Sequence, residues 1–429
     1  MSHLDDSTSP DQLPGSPAAR VAGVGPTIFA TITAEAVRTG AANLGQGFPD
    51  EDGPTEMLQR AAAEITQGNN QYGPGRGLPE LRQAVADDRA RRLDHHFPPE
   101  DVLITVGATE GIAASVLGLV DRGREVVVLE PTYDAYSAAI DLAEARPRPV
   151  RLWLDRDTEG TDGTLDGARW RLDREAFATA IQDGPAAVLL NSPHNPTGTV
   201  LSRDDLEFIA ACVLGTDVVV ISDEVYERLA FDTPHTAIAT LEGMADRTVT
   251  LSSAAKSFNV TGWKTGWAIG PAHLLDAVTA AKQFLSYVGV TPLQPAVAWA
   301  LGHSDSWSEQ WSATLQRRRD QLVEVLHGTG QDVLRSDGTY FLISDIAPLG
   351  LTSQDGTPMS GAEFCSRLPD AVGVAAIPVS AFVTDQAATD PDDPVHTLVR
   401  WTFCKNDSTL DTATQRLKGD LRAAFDGGR

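Results

Sequence analysis

Four short apolar runs do most to limit what this chain can fold into: DVLITV from Asp101, EVVVL from Glu125, AAVLL from Ala186 and VVVIS from Val218. Each is too short for a core helix and apolar on both faces, three of the four are rich in β-branched residues, and helix-patterned segments separate one from the next. A strand that is apolar on both faces must be covered on both. The pattern therefore predicts an α/β fold with a mostly parallel sheet sandwiched by helices. Pro149–Leu154 and Thr248–Ser252 read as further strands. Polar residues collect just past the strand ends: Thr109, Tyr133, Asn195, Asp223, Tyr226 and Lys256. In open α/β sheets ligands sit at the carboxyl ends of strands, so these residues mark the candidate site.

After Gly270 the pattern changes. His273–Ser286, Pro295–Leu301 and Ser306–Leu326 read as helices, followed by strand-like Tyr340–Ser344, Val374–Ile377 and Thr397–Phe403 and a closing helix Leu410–Phe425. Helices followed by short strands predict a separate, smaller α+β domain. At 429 residues the chain is also too long for one compact core. The expected division is 1–47 for a disordered tail plus an arm and helix belonging to the small domain, 48–296 for the large domain and 297–429 for the small one. Between the first helix, with Thr27 as its candidate cap, and the first strand lie two glycine-punctuated loops, Asn43–Asp50 and Gln71–Gly77. Each precedes a helix, Pro54–Thr66 and Leu78–Leu93.

The formal charge of −25 argues against nucleic acid or an anionic membrane surface as a partner. No apolar run reaches the length of a membrane span. Met1–Pro17, rich in Ser, Asp and Pro, reads as a disordered tail rather than a secretory signal. Cys212, Cys365 and Cys404 are widely spaced and form neither a metal-ligand pattern nor a disulfide framework, so a cytoplasmic location is the expectation.

Lysine is scarce. The five lysines are Lys256, Lys264, Lys282, Lys405 and Lys418, and two of them share the hydroxyl-rich stretch Ser252–Trp267. A lysine amine can condense with a carbonyl, which the permanently charged arginine cannot do. Lys256 would emerge where the strand Thr248–Ser252 ends. A second feature is Gly107-Ala108-Thr109, where a strand runs through small residues into a helix N-terminus. That arrangement binds phosphate through free N–H groups and the helix dipole, although many βα turns look alike. Taken singly, Lys256 could be a solvated surface charge, Asp223 a cap and Tyr133 a core aromatic.

Together these residues resemble the fold-type-I, pyridoxal-phosphate-dependent aminotransferases, and within them the subgroup of kynurenine and N-succinyldiaminopimelate aminotransferases. Seven runs carry the resemblance in order: NLGQGFPD at Asn43, QYGPGRGLPELR at Gln71, TVGATEGI at Thr105, NSPHNPTGTV at Asn191, SDEVYE at Ser222, SSAAKSFNVTGWKTGW at Ser252 and RWTFCKND at Arg400. The resemblance implies a mostly parallel seven-stranded sheet, pyridoxal 5'-phosphate as cofactor, and transfer of an amino group from an L-amino acid to a 2-oxo acid by a ping-pong cycle.

It also implies roles. Lys256 would carry the cofactor as a Schiff base and shuttle the proton, Asp223 would pair with the pyridine nitrogen, and Tyr226 and Asn195 would bond the phenolic oxygen. Tyr133 would stack on the ring. Gly107, Ala108, Thr109, Ser253 and Lys264 would hold the phosphate, joined by Tyr72 from the second subunit of a homodimer. Arg400, with Gly47 and Asn195, would take the substrate carboxylate. The bonds before Pro193 and Pro196 are expected to be cis, and Phe29 and the loop Gly289–Pro292 to shape the substrate pocket. Departures are Glu51, where relatives commonly have an aromatic residue, and the absence of a basic residue between Lys282 and Arg317 for a distal carboxylate. His194 reads as a packing group. The same lysine and ring would also serve a C–S β-lyase, the alternative. A non-enzymatic sensor would require a DNA-binding domain and a basic face, and these residues supply neither.

Overall fold

The computed structural model describes residues 17–21, 27–156, 168–384, 387–388, 390–419 and 421–426. Most of the expected N-terminal tail, and the loop after Arg156 up to Gly167, lie outside them. In chain order the strands are β1 (Ala42–Asn43), β2 (Val102–Val106), β3 (Glu125–Glu130), β4 (Arg146–Asp155), β5 (Arg169–Leu172), β6 (Ala187–Asn191) and β7 (Val219–Asp223). They continue as β8 (Thr248–Ser253), β9 (Thr265–Ile269), β10 (Asp332–Val333), β11 (Phe341–Asp345), β12 (Val374–Ala375), β13 (Ile377–Pro378) and β14 (Leu398–Thr402).

Eight strands form the large sheet, in the order β2-β9-β8-β7-β6-β3-β4-β5. The pairs β4–β3, β3–β6, β6–β7 and β7–β8 are parallel, whereas β9 runs antiparallel between β8 and β2 and β5 folds back antiparallel on β4. The sheet thus has one strand more than the expected seven, the edge strand β5. Side-chain alternation explains why both faces are covered. Val127, Leu129, Val188, Leu190 and Val220 pack with Phe177, Ile181, Leu206 and Ile209 from the helices Arg174–Gln182 and Arg203–Val213. Their neighbours Val126, Val128, Leu189 and Ile221 face the other way, onto Ile112, Val116, Tyr136 and Leu275 from the helices Gly107–Leu119, Asp134–Leu142 and Ala272–Leu285.

The second sheet is antiparallel, β10-β11-β14-β13, and β1 pairs in parallel with β12, which joins the N-terminal segment to the C-terminal part of the chain. The helix Gln294–His303 straddles position 296/297 and packs with Met57 and Leu81 of the earlier helices. The expected closing helix Leu410–Phe425 is two helices, Asp407–Leu417 and Leu421–Asp426, separated at Gly419, a residue that weakens helix interiors. Among the described residues no helix is long and apolar enough to cross a membrane.

Candidate active site

The carboxyl ends of β2, β6, β7 and β8 open on one edge of the large sheet, and β14 of the small sheet faces them. Between them lies a cavity of about 290 Å³. Its lining includes Gly47, Gly107, Ala108, Thr109, Tyr133, Asn195, Asp223, Tyr226, Ser253, Lys256, Lys264 and Arg400. The structure therefore brings together every expected site residue except Tyr72, which is 82% exposed, with its ring edge-on to Tyr287 at 5.7 Å. Phe29 lines the same cavity. His194 does not, and its buried ring bonds the Thr197 hydroxyl at 2.7 Å.

Lys256 sits in the short helix Ala254–Ser257 directly after β8. Its Nζ donates to the Tyr340 hydroxyl at 2.7 Å. Burial draws its pKa down to about 8, helped by Lys264 and Arg400 and opposed by Cys404 and Asp223. Asp223 ends β7, in register with Asn191 on β6 and Leu251 on β8. Its carboxylate accepts from the Tyr136 hydroxyl at 2.8 Å and from the Val225 N–H at 3.2 Å. Burial raises it to about 6 despite those bonds and the nearby Lys256. Burial also lifts the Tyr133 phenol to about 12.

The helix Gly107–Leu119 opens at the cavity floor. Gly107 adopts φ +73°, and a Cβ there would stand 3.2 Å from Lys264 Nζ, so glycine is what lets the lysine lie over the helix start. An ammonium beside the positive end of a helix is unfavourable on its own, and Lys264 forms no ion pair among the described residues. An anion bound between the two relieves both. Ser253 stands alongside, its hydroxyl accepting from the Ala255 N–H at 3.1 Å and donating to the Thr265 carbonyl at 3.2 Å.

Arg400, on β14, is fully buried. One Nη donates to Asn195 Oδ1 and the other to the Gly45 carbonyl, each at 3.0 Å, while Nε has no partner. The Phe341, Phe382 and Phe29 rings surround the guanidinium at 4.1, 4.6 and 5.4 Å. Among the described residues no carboxylate pairs with it, and burial draws its pKa down to about 10.

The family described as Aminotransferase class I and II matches residues 39–417. The chain belongs to that family. It is 50% identical over 395 residues to a probable N-succinyldiaminopimelate aminotransferase of Mycobacterium tuberculosis, covering 91% of this chain and 95% of that protein. The solved structure of the N-succinyldiaminopimelate aminotransferase from Mycobacterium tuberculosis matches with a TM-score of 0.86 at 49% identity, over 94% of this chain and 99% of that one. An Escherichia coli methionine aminotransferase structure matches with a TM-score of 0.84 at 33% identity, over 94% and 99% of the two chains. The protein is a pyridoxal-phosphate-dependent aminotransferase, and the elimination alternative is not favoured.

The aminotransferase cavity fits that cofactor on its own chemistry: an anion site at Gly107 and Lys264, a buried acid at Asp223, and an amine held near neutrality at Lys256. The bonds before Pro193 and Pro196 are cis, and so is the one before Pro131, which the sequence did not suggest. Sequence reasoning also missed Tyr136 and Tyr340. Tyr340 read only as the start of a strand, and neither residue lies in a run that flags polar contacts.

Proposed function

We propose that Lys256 bonds the cofactor's aldehyde carbon, that Asp223 pairs with its ring nitrogen, and that Tyr226 and Asn195 hold its phenolic oxygen. Tyr133 covers the ring, while Gly107, Ala108, Thr109, Ser253 and Lys264 hold the phosphate. When bound, pyridoxal phosphate supplies a carbonyl that condenses with amines and a ring that takes up the electron pair freed at the substrate α-carbon. An amine with a pKa of about 8 is suited to taking and returning a proton near neutrality, which supports Lys256 as the proton shuttle. Asp223, as a carboxylate, keeps a proton on the ring nitrogen.

Arg400 carries the substrate reading. A buried guanidinium without a carboxylate partner is an unfinished ion pair, and an amino acid's α-carboxylate, assisted by Asn195 and the Gly47 backbone, completes it. N-succinyldiaminopimelate is the donor this chain uses in our reading, supported by the 50% identity to the Mycobacterium tuberculosis relative. One observation favours a second donor class. Among the described residues, the charged ones lining the cavity are Asp223, Lys256, Lys264 and Arg400, all engaged above, so these offer no cation for a distal carboxylate. A donor with an uncharged side chain, such as methionine, suits that lining.

Tyr287 meets the Tyr72 ring, and it and its chain neighbours Phe284 and Leu285 are exposed, which supports a homodimer in which this face meets a second copy and Tyr72 reaches its phosphate. All three cysteines are free, which supports a cytoplasmic location.

The test is the absorption spectrum of the purified protein and of Lys256→Ala with a panel of donors. The wild type is expected to show a visible band from lysine-bound cofactor, bleached by N-succinyldiaminopimelate and restored by a 2-oxo acid. Lys256→Ala should lack the band. Bleaching by methionine alone selects the second donor class, and pyruvate plus ammonia formed without a 2-oxo acid would overturn transamination.

A further inference from the structure

Tyr340 stands just before β11, 1% exposed, and makes two bonds at once. Its hydroxyl donates to the Gly47 carbonyl at 2.6 Å and accepts from Lys256 Nζ at 2.7 Å. The same Nζ lies 3.5 Å from the Gly47 carbonyl. The ring stands edge-on to Tyr226, with centroids 5.2 Å apart, which fixes where the hydroxyl points. Gly47 is part of the same fit. A Cβ there would lie 2.3 Å from the Phe341 ring and 3.1 Å from that of Tyr340, so only glycine brings this carbonyl to the phenol.

We propose that Tyr340 is a positioning residue for Lys256: its phenol, anchored on the Gly47 carbonyl, is the seat that receives the lysine amine whenever the amine is not bonded to the cofactor. The proposal rests on the reading of Lys256 given above. With its proton directed at the Gly47 carbonyl and the Tyr226 hydroxyl close by, the phenol presents lone pairs to Lys256 and favours the ammonium over the amine. Burial keeps the phenol itself un-ionised, its pKa well above the ordinary value. The other groups facing Lys256 are Asp223 and Cys404, which favour its proton, Lys264 and Arg400, which oppose it, and the Tyr226 ring at 5.6 Å. A lysine released in each half of the cycle has four rotatable carbons and must stay within reach of the α-carbon to return its proton. A fixed acceptor removes that freedom. Because Tyr340 comes from the C-terminal sheet and Gly47 from the N-terminal loop, the seat forms only where both meet β8.

The scarcity of lysine makes a direct test practical. In full-length, cofactor-free protein carrying [13Cε]lysine, five signals are expected, and Lys256→Ala assigns the relevant one. Wild-type Lys256 should titrate near 8, and in Tyr340→Phe, which keeps the ring against Tyr226, about one unit lower. The acid limb of the pH profile for covalent rebinding of pyridoxal phosphate should move in the same direction. An unchanged Lys256 midpoint in folded Tyr340→Phe overturns the proposal. Should that variant not fold, the wild-type protein still decides: a nuclear Overhauser contact between the Lys256 ε-methylene and the Tyr340 ring is expected, and its absence overturns the seat. If wild-type protein bonds the cofactor elsewhere than at Lys256, the reading of the site fails instead.

Discussion

Replacing Arg400 with methionine separates a binding arginine from a structural one. Burial lowers its pKa to about 10, which against an ordinary arginine is worth about 3 kcal/mol disfavouring the charged form. Removing the charge recovers that term. It also strands two buried acceptors, Asn195 Oδ1 and the Gly45 carbonyl, at about 1–2 kcal/mol each. The two effects nearly cancel, so Arg400→Met should leave unfolding stability within about 1 kcal/mol of wild type when no substrate is present. Breaking a buried ion pair would cost about 3–5 kcal/mol. Substrate recognition should suffer instead. Two charge-assisted bonds to a carboxylate, each about 1.5–3 kcal/mol, correspond to a fall in kcat/KM of roughly two to four orders of magnitude. The assay pairs urea unfolding of both proteins with thermal shifts caused by a 2-hydroxy acid, which binds without reacting. The wild type should be stabilised by the ligand and the variant should not. A loss of about 3 kcal/mol or more without ligand, together with an unchanged ligand shift, would refute the carboxylate role.

Glu227→Gln tests the charges behind the site. Burial pushes the Glu227 carboxyl up, but Arg89, Arg92 and the Ser252 hydroxyl outweigh it and hold it far below the usual range. Because the folded value is depressed, its contribution is present above the unfolded value of about 4.5 and fades as pH falls. The variant should therefore lose about 3–5 kcal/mol at pH 7 and progressively less below pH 4.5, and a pH-independent gap would contradict the pairing. Phe29→Ala opens the cavity beside Arg400 and should change the ratio of kcat/KM between N-succinyldiaminopimelate and methionine by about tenfold. An unaltered ratio would remove Phe29 from the pocket wall.

What could be read in the sequence follows from range. The apolar runs of β3, β6 and β7 announced a doubly covered sheet because two-sided burial leaves a local mark, and Lys256 and Asp223 followed because a strand end is a local position. β9 left no comparable mark. TGWAI has a glycine at its second residue, and Gly266 is there because a Cβ would lie 2.8 Å from the Gly107 backbone, a constraint set by another strand's end. Tyr340 is harder still, since its partner Gly47 lies 293 residues away and nothing near either residue records the meeting. Glu51 is the intermediate case. Its departure from the family pattern was visible, but the reason is Arg318, which it meets in an ion pair while the same guanidinium bonds Asp407 at 2.7 Å.

The cavity reverses the charge balance of the chain. Overall the protein carries −25, yet the cavity is lined by Lys256, Lys264 and Arg400 against the single acid Asp223. Burial disfavours the charged forms of two of these cations in the empty fold, Lys256 and Arg400, and lowers them to pKa values of about 8 and 10. On the proposed reading, phosphate at the Gly107 helix and a carboxylate at Arg400 would offset that cost when bound. Ligand affinity is thus drawn from stability that the empty cavity forgoes, and ligand-linked stabilisation is the expected counterpart of this arrangement.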